Sequence, residues 1–256
     1  MEIKVNMHYA DQKNGEEGGN LILEALFNFV AREQTTQKSA AINPLVPTTD
    51  TEQRWFREGQ GRADTRKMLR AGGAQARLAQ ESAIQDQVRA MLEVSRPYAS
   101  LPALAPGDTM LIADTKLTNT AVTQPQHQNT AGRVFGGFLM RRAFELAFSS
   151  AYIFSGARPH FLSIDEVTFS KPVEVGSLLQ FESKVVYTEV EQGLVHVHVA
   201  AFITHPEERT TTLSNQFFFT FSVGDAGSGA LRHVLPTTAE EARLQLEAMD
   251  MENVEF

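Results

Sequence analysis

Cysteine is absent from the 256 residues, which excludes disulfide scaffolds, thiolate nucleophiles and cysteine-ligated metals and fits a reducing compartment. No apolar run reaches the roughly 18 residues that would cross a bilayer as a helix. The opening MEIKVNMHY is neither a charged-then-apolar signal peptide nor an Arg-rich transit peptide, so no targeting peptide is expected in this chain. Positive charge is scarce: 23 Lys and Arg stand against 31 Asp and Glu, a formal net charge of −8. That excludes a protein that wraps nucleic acid by bulk charge, and no direct nucleic-acid binding is expected. The Gly-x-Ser-x-Gly pattern of serine hydrolases and the phosphate-binding glycine loop are both missing. Tryptophan occurs once and tyrosine four times, against 17 phenylalanines. A side chain with no polar group to satisfy points to dry packing surfaces.

What is present suffices for a globular core, at 42% hydrophobic residues in a length that allows one large domain or two smaller ones. The first nine residues alternate, with Ile3, Val5, Met7 and Tyr9 on one side and Glu2, Lys4, Asn6 and His8 on the other, the period of a half-buried strand. A turn over 11–19 leads to a second strand with Leu21, Leu23, Ala25, Phe27 and Phe29 on one face, and a third is expected through Ala40 to Asn43. Pro44 and Pro47 end this segment, and Thr49 with Glu52 forms a capping box that opens a helical stretch. Two helices broken near Gly72 and Gly73 are expected, with Arg62, Arg66, Lys67 and Arg70 reading as a solvated face or as an anion-binding patch. Pro97, Pro102 and Pro106 mark the next boundary. The domains expected are 1–47, a helical linker over 48–106, a larger domain over 107–225, and a peripheral acidic tail over 226–256, opened by a Gly/Ser hinge and carrying a short helix with Thr237 and Glu240 as its capping box.

The larger domain reads as a strand around 115–122, a helix from Gly136 to about Phe154, and strands near 160–171, 177–190, 193–204 and 210–223. The last places Leu213, Asn215, Phe217, Phe219, Phe221 and Val223 on one face, and Phe218 breaks its alternation. One apolar helix followed by consecutive antiparallel strands predicts an α+β architecture with the sheet wrapped around the helix. Asp165 and Glu166 interrupt an alternating strand and predict a bulge. An internal repeat ties the two domains together: MEIKVNM matches FESKVVY at 181–187, and 29–43 matches 202–216 in hydrophobic pattern. The chain therefore reads as one complete unit plus the last three strands of another.

Gly136 and Gly137 open the helix without side chains over its first turn, so their N–H groups can approach a ligand oxygen, or the pair only lets the helix enter beneath a curved sheet. His196 and His198 share a strand face, but no third ligand lies at a convincing spacing, so no metal site is expected.

The stretch NTAGRVFGGFLMRRAFELAF, with ARPHFLSIDEVTFSKPVEVGSLL after it, resembles the second domain of the mitochondrial acyl-CoA thioesterases that carry two hot-dog domains in tandem, the acyl-coenzyme A thioesterase 9 type. ILEALFNFVAREQTTQKSAAINPLVPTTDTEQRWF resembles the end of their first domain and its linker. The resemblance implies a hot-dog fold and hydrolysis of an acyl-CoA thioester by water, with CoA entering as part of the substrate and no further cofactor. It implies a mitochondrial matrix setting. It also implies catalytic roles for Gly137, which would polarise the carbonyl, for Asn129, which would orient water or substrate, and for Glu145, which is either a general base or a solvent-facing or interface helix residue. Phe135 and Gly136 would border the substrate. Arg141, Arg142, Arg158 and Lys171 are candidates for the CoA phosphates or are plain surface charges.

In this family a site is built across two hot-dog units, and the first unit here lacks its helix. Another chain could complete it, copies of the complete domain could pair, or catalysis could be lost. A thioesterase acting as an oligomer or with a second chain is one reading. A structural subunit of a larger mitochondrial assembly, such as a ribosome or a respiratory or ATP synthase complex, is the other.

Overall fold

The computed structural model describes residues 1–8, 20–33, 36, 38–71, 74–101, 104–129, 132–165, 167–169, 171–224 and 231–252. The turn expected over 11–19, Gly72, Gly73, Pro102, Glu166 and the hinge over 226–230 lie outside these. The chain divides into two compact units, Met1–Arg77 and Leu78–Phe256.

In the first unit the alternating opening forms β1 (Glu2–His8), paired antiparallel with β2 (Leu21–Asn28) so that Ile3, Val5 and Met7 oppose Phe27, Ala25 and Leu23. Lys4 and Glu24 pair at 2.8 Å. The expected third strand does not join this ladder. Among the described residues only an isolated bridge, Arg32 to Ser39, continues the pairing, and residues 40–47 are not in a strand. Ala40, Ala41 and Asn43 are weak strand formers, and Pro44 removes a ladder donor. The capping box forms as expected: the Thr49 N–H donates to Glu52 Oε2 at 3.0 Å and the Glu52 N–H donates to Thr49 Oγ1 at 3.2 Å, at the start of α1 (Asp50–Ala71). Donation from the Thr49 and Thr48 backbone pulls the Glu52 carboxyl down to about 2. Arg62 Nε donates to Glu2 Oε1 at 3.1 Å, joining α1 to β1.

α2 (Ala74–Ser100) contains Pro97 in its last turn rather than ending before it, and the helix closes with the Leu101 N–H on the Pro97 carbonyl at 2.9 Å. A proline so near the end costs one ladder bond and leaves the helix continuous. β3 (Thr109–Leu111), a 3-10 turn over Ile112–Thr115 and β4 (Leu117–Val122) follow, then α3 (Gly136–Ser155), β5 (His160–Ile164), β6 (Leu178–Glu189), β7 (Leu194–His205) and β8 (Thr210–Ser222). Five of these strands form one antiparallel sheet in the order β4-β6-β7-β8-β5. This is the helix-wrapped sheet expected.

α3 lies on the inner face of the sheet. Ala143, Ala147 and Ala151, four residues apart and fully buried, let the sheet approach closely. Leu139, Leu146 and Phe154 share a core with Phe181, Val185, Val197, Phe217, Phe219 and Phe221. Phe144 is the hub of the aromatic packing, edge-on to Phe161 at 5.5 Å and Phe219 at 5.9 Å. The hydroxyls of Ser150 and Ser183 bond each other at 2.6 Å, satisfying two polar groups inside the core. Gly156, at φ 68°, ends the helix in the left-handed region, with its N–H on the Tyr152 carbonyl at 2.9 Å.

Four expectations are corrected in this unit. Leu213 is not on the inner face, because Phe202 pairs with Leu213 while Ala201 pairs with Asn215, and the unpaired Ser214 reverses the alternation. The irregularity in β5 falls between Phe161 and Ser163 rather than at Asp165, whose N–H still reaches the Phe218 carbonyl at 3.2 Å. The acidic tail is not peripheral. β9 (His233–Leu235) pairs in parallel with β3, and α4 (Ala239–Glu252) buries Ala242, Leu244 and Ala248, packing on Val186 and Phe218 of the outer sheet face. Phe218 breaks the strand's alternation because it has its own core to enter. The α4 capping box is Thr238 with Glu241, one residue later than expected: the Glu241 N–H donates to Thr238 Oγ1 at 3.2 Å, and Thr237 N–H and hydroxyl donate to the Glu241 carboxylate at 2.9 and 2.8 Å. Lys184 Nζ completes this carboxylate's partners at 3.1 Å.

Candidate active site

The segment before α3 is a chain of backbone locks. Thr123 holds it to the strand-6 loop, its hydroxyl donating to the Glu174 carbonyl at 2.8 Å and its N–H to the Ser177 carbonyl at 3.0 Å. A short turn over Pro125–His127 is closed by the Gln124 N–H on His127 Nδ1 at 3.0 Å, and the His127 ring stacks on Phe138 at 3.8 Å between centroids. Asn129 sits where a tight loop turns back: its N–H donates to the Arg133 carbonyl at 2.7 Å, and its side-chain oxygen accepts the Arg133 N–H at 3.1 Å. The Phe135 N–H on the His127 carbonyl at 2.8 Å and the Val134 N–H on the Val173 carbonyl at 2.9 Å then aim the chain into the helix.

α3 starts directly after Phe135, whose extended backbone makes it the N-cap, and no side chain caps this end. Phe138 N–H folds back on the Phe135 carbonyl at 2.9 Å, so the first-turn donors of Gly136 and Gly137 face outward at the positive end of the helix dipole. Aromatic rings crowd both glycines. A Cβ on Gly136 would stand 2.9 Å from the Phe169 ring, and one on Gly137 would stand 2.3 Å from the Phe135 ring. Phe135 and Phe169 are themselves half exposed. The close approach anticipated for these glycines is thus made on one side by phenylalanine rings. Phe169 is a site-bordering residue that the sequence reading missed, and its only signal was an exposed aromatic just before LysPro.

Glu145 lies two turns further along α3 and receives two arginines, Arg141 Nε on Oε1 at 3.0 Å and Arg142 NH1 on Oε2 at 2.8 Å. Arg142 NH2 also donates to Asn119 Oδ1 on β4 at 3.2 Å. Both arginines considered for CoA phosphates are therefore engaged with Glu145 in this chain. Lys171 is exposed at the same end of the helix as Gly136, two residues before Val173, and its carbonyl accepts from Ser214 at 3.5 Å. Arg158 is exposed and lies past the opposite end of α3, more than about 25 Å from Gly137 along an axis rising about 1.5 Å per residue. The structure thus gathers Asn129, Phe135, Gly136, Gly137 and Lys171 at one end, sets Glu145, Arg141 and Arg142 apart as a second group, and leaves Arg158 away from both.

His196 Nδ1 bonds Thr220 Oγ1 at 3.1 Å and His198 Nε2 bonds Gln216 Oε1 at 2.8 Å. Both are buried on the outer sheet face, and burial brings the His198 imidazole down to about 4. Two cavities, of about 550 and 400 Å³, lie along α2 near Thr237 and between α2, β9 and α4; neither is lined by a candidate site residue.

No family model matches the chain. Relatives do. Acyl-coenzyme A thioesterase 4, mitochondrial, from Humulus lupulus is 44% identical over 98% of this chain and 49% of its own length. Acyl-coenzyme A thioesterase 2, chloroplastic, from the same organism is 41% identical over 98% of this chain and 59% of its own. Human acyl-coenzyme A thioesterase 9, mitochondrial, is 32% identical over 96% of this chain and 54% of its own.

The chain is homologous to the acyl-coenzyme A thioesterases.

It spans about half the length of the curated relatives it matches. An apo-hexameric acyl-CoA thioesterase of known structure superposes with a TM-score of 0.51 at 24% identity, covering 57% of this chain and 94% of that one, which shows the hot-dog fold. No helix among the described residues is long and apolar enough to cross a membrane.

Proposed function

We propose that this thioesterase homologue hydrolyses acyl-CoA thioesters with water, in a site formed where two hot-dog units meet. The observation that carries the reading is the uncapped α3 N-terminus, with Gly136 and Gly137 as its first donors. A thioester carbonyl gains negative charge on its oxygen as water attacks, and preorganised backbone N–H groups at the positive end of a helix dipole stabilise that charge. Asn129 shapes the loop that delivers this end and stands beside it as the group that orients water or substrate. Phe135 and Phe169 supply apolar walls.

Glu145 acts as the base, but on a different carbonyl. Eight helical residues separate it from Gly137, about 12 Å at 1.5 Å per residue, whereas reacting groups meet within about 3–3.5 Å. One thioester therefore cannot use both groups of one unit, and the Glu145 of one unit serves the Gly137 of the unit facing it. Arg141, Arg142 and Lys171 are the cations nearest these two groups and the candidates for holding CoA phosphates; Arg158 would have to act from the facing unit. CoA arrives as part of the substrate, and no other cofactor is invoked. The partner is a second hot-dog unit, from another copy or from a longer polypeptide of the tandem type. A mitochondrial setting is supported by the names of two relatives, against a chloroplastic name for a third. The alternative of an inactive structural subunit finds no support, since these relatives are all named thioesterases.

The test is thioester cleavage by the natively purified assembly on short, medium and long acyl-CoAs, beside Asn129→Ala and Gly137→Ala. Turnover should fall about 100-fold or more in both variants, the range expected for loss of an oxyanion donor or its positioning. Turnover unchanged in both would overturn the site.

A further inference from the structure

The two arginines on Glu145 are not equivalent. Arg141 approaches through a single contact, Nε to Oε1 at 3.0 Å, and its side chain is 78% exposed. Arg142 is 31% exposed and spans two elements, one nitrogen on Glu145 Oε2 at 2.8 Å and another on Asn119 Oδ1 at 3.2 Å. Asn119 stands on the edge strand β4, on the face shared with Leu117 and Ala121, two residues along from a leucine packed on the core. The sheet thus fixes Asn119, Asn119 fixes one edge of a rigid guanidinium, and the other edge fixes one oxygen of the carboxylate. A planar fork can do this and an ammonium cannot.

From this geometry we propose that Asn119 and Arg142 are positioning residues for the thioesterase reaction, holding Glu145 by Oε2 so that Oε1 is the oxygen presented to water. Arg141 sits on the presented oxygen from the solvent side and must move off it for that oxygen to accept a proton. Arg142, anchored at its far edge, stays. As water attacks the carbonyl carbon, one of its protons passes to Oε1, the carbon–sulfur bond breaks on collapse of the tetrahedral intermediate, and the leaving CoA thiolate takes that proton, which restores the Glu145 carboxylate. This rests on the reading of Glu145 as the base.

The test compares Asn119→Ala, Asn119→Asp, Arg142→Lys and Glu145→Gln in the full chain, by kcat, KM and melting temperature. Asn119→Ala should lower kcat by about 10-fold to 100-fold, the cost of loosening a reacting group, with KM and melting temperature nearly constant. Asn119→Asp, which keeps an acceptor for the guanidinium, should restore most of kcat, while Arg142→Lys should not, although it keeps the charge. A purely structural role would lower the melting temperature and would not separate kcat from KM. If Glu145→Gln is inactive while Asn119→Ala keeps the original kcat, the positioning role is overturned and the base remains. If Glu145→Gln keeps the original kcat, the base assignment falls and the positioning role falls with it.

Discussion

β1 and β6 carry matching sequences and meet different fates. In MEIKVNM the residues Met1, Ile3 and Val5 are 58%, 41% and 45% exposed, whereas their counterparts in FESKVVY, Phe181, Ser183 and Val185, are fully buried. Both segments form antiparallel strands with the same alternation. What differs is the cover: α3 lies over the face that includes Phe181 and Val185, while among the described residues the apolar face of the β1–β2 hairpin joins no buried core. Period-2 alternation encodes which side of a strand is apolar, while burial depends on what lies against that side. The apolar face of the hairpin, Ile3, Val5, Met7, Leu23 and Phe27, is the kind of surface that soluble proteins rarely leave uncovered.

The sharpest way to stress this contrast is to cut one phenylalanine from each kind of face. Phe219→Ala, at 1% exposure against α3, should destabilise the second unit by about 3–5 kcal/mol, read as a large drop in the urea midpoint.

A smaller loss is expected from Lys184→Met, which strips the buried Glu241 carboxylate of its cation. About 2–3 kcal/mol is expected, less than for a fully enclosed pair because Lys184 is 19% exposed. Burial alone would raise the Glu241 carboxyl, but the Thr237 donors and the Lys184 ammonium outweigh it and hold the group below its ordinary 4.5. With its folded value depressed, its contribution is present above pH 4.5 and is lost as pH falls through the folded value. Acid should therefore release α4 from the sheet, seen as loss of amide-exchange protection over 239–252. In Lys184→Met that release should begin at higher pH.

His198 gives a gentler slope. Burial lowers its imidazole from 6.5 to about 4, so between these values the unfolded chain binds the extra proton and stability falls as pH drops. His198→Gln should flatten the dependence of the midpoint in that window. An unchanged slope would place the imidazole in solvent.

The smallest effect is expected at the other end of the comparison. Phe27→Ala, on the open hairpin face, should change stability by no more than about 0.5 kcal/mol. A cost rivalling that of Phe219→Ala would break the contrast and mean that another surface covers the hairpin in solution.

Much of the second unit was legible in the residues themselves. The α3 bounds, the strand succession and the inner run Phe217, Phe219, Phe221 follow from periodicity, and the Thr49–Glu52 box follows from local hydrogen-bond chemistry. Gly136 and Gly137 stood out because a helix start leaves a local signature, while Asn129 stood out only through the resemblance. Asn119, Phe169 and the β3–β9 pair were not legible, since each acts across 20 to more than 100 residues of separation. Register at Ser214 was also hidden: nothing in TTTLSNQ marks the one unpaired residue that sends Leu213 to the other face.

The sequence by itself determined what short-range physics controls: the helices, the alternating faces, the glycines at the head of α3 and, through resemblance, the thioesterase kinship. Only the tertiary structure decided that α4 packs on the outer sheet face, that β9 pairs with β3, and that Asn119 of β4 meets Arg142 of α3. Those are distances between elements, and a distance between elements depends on how sheet and helix pack, which no local pattern of residues records.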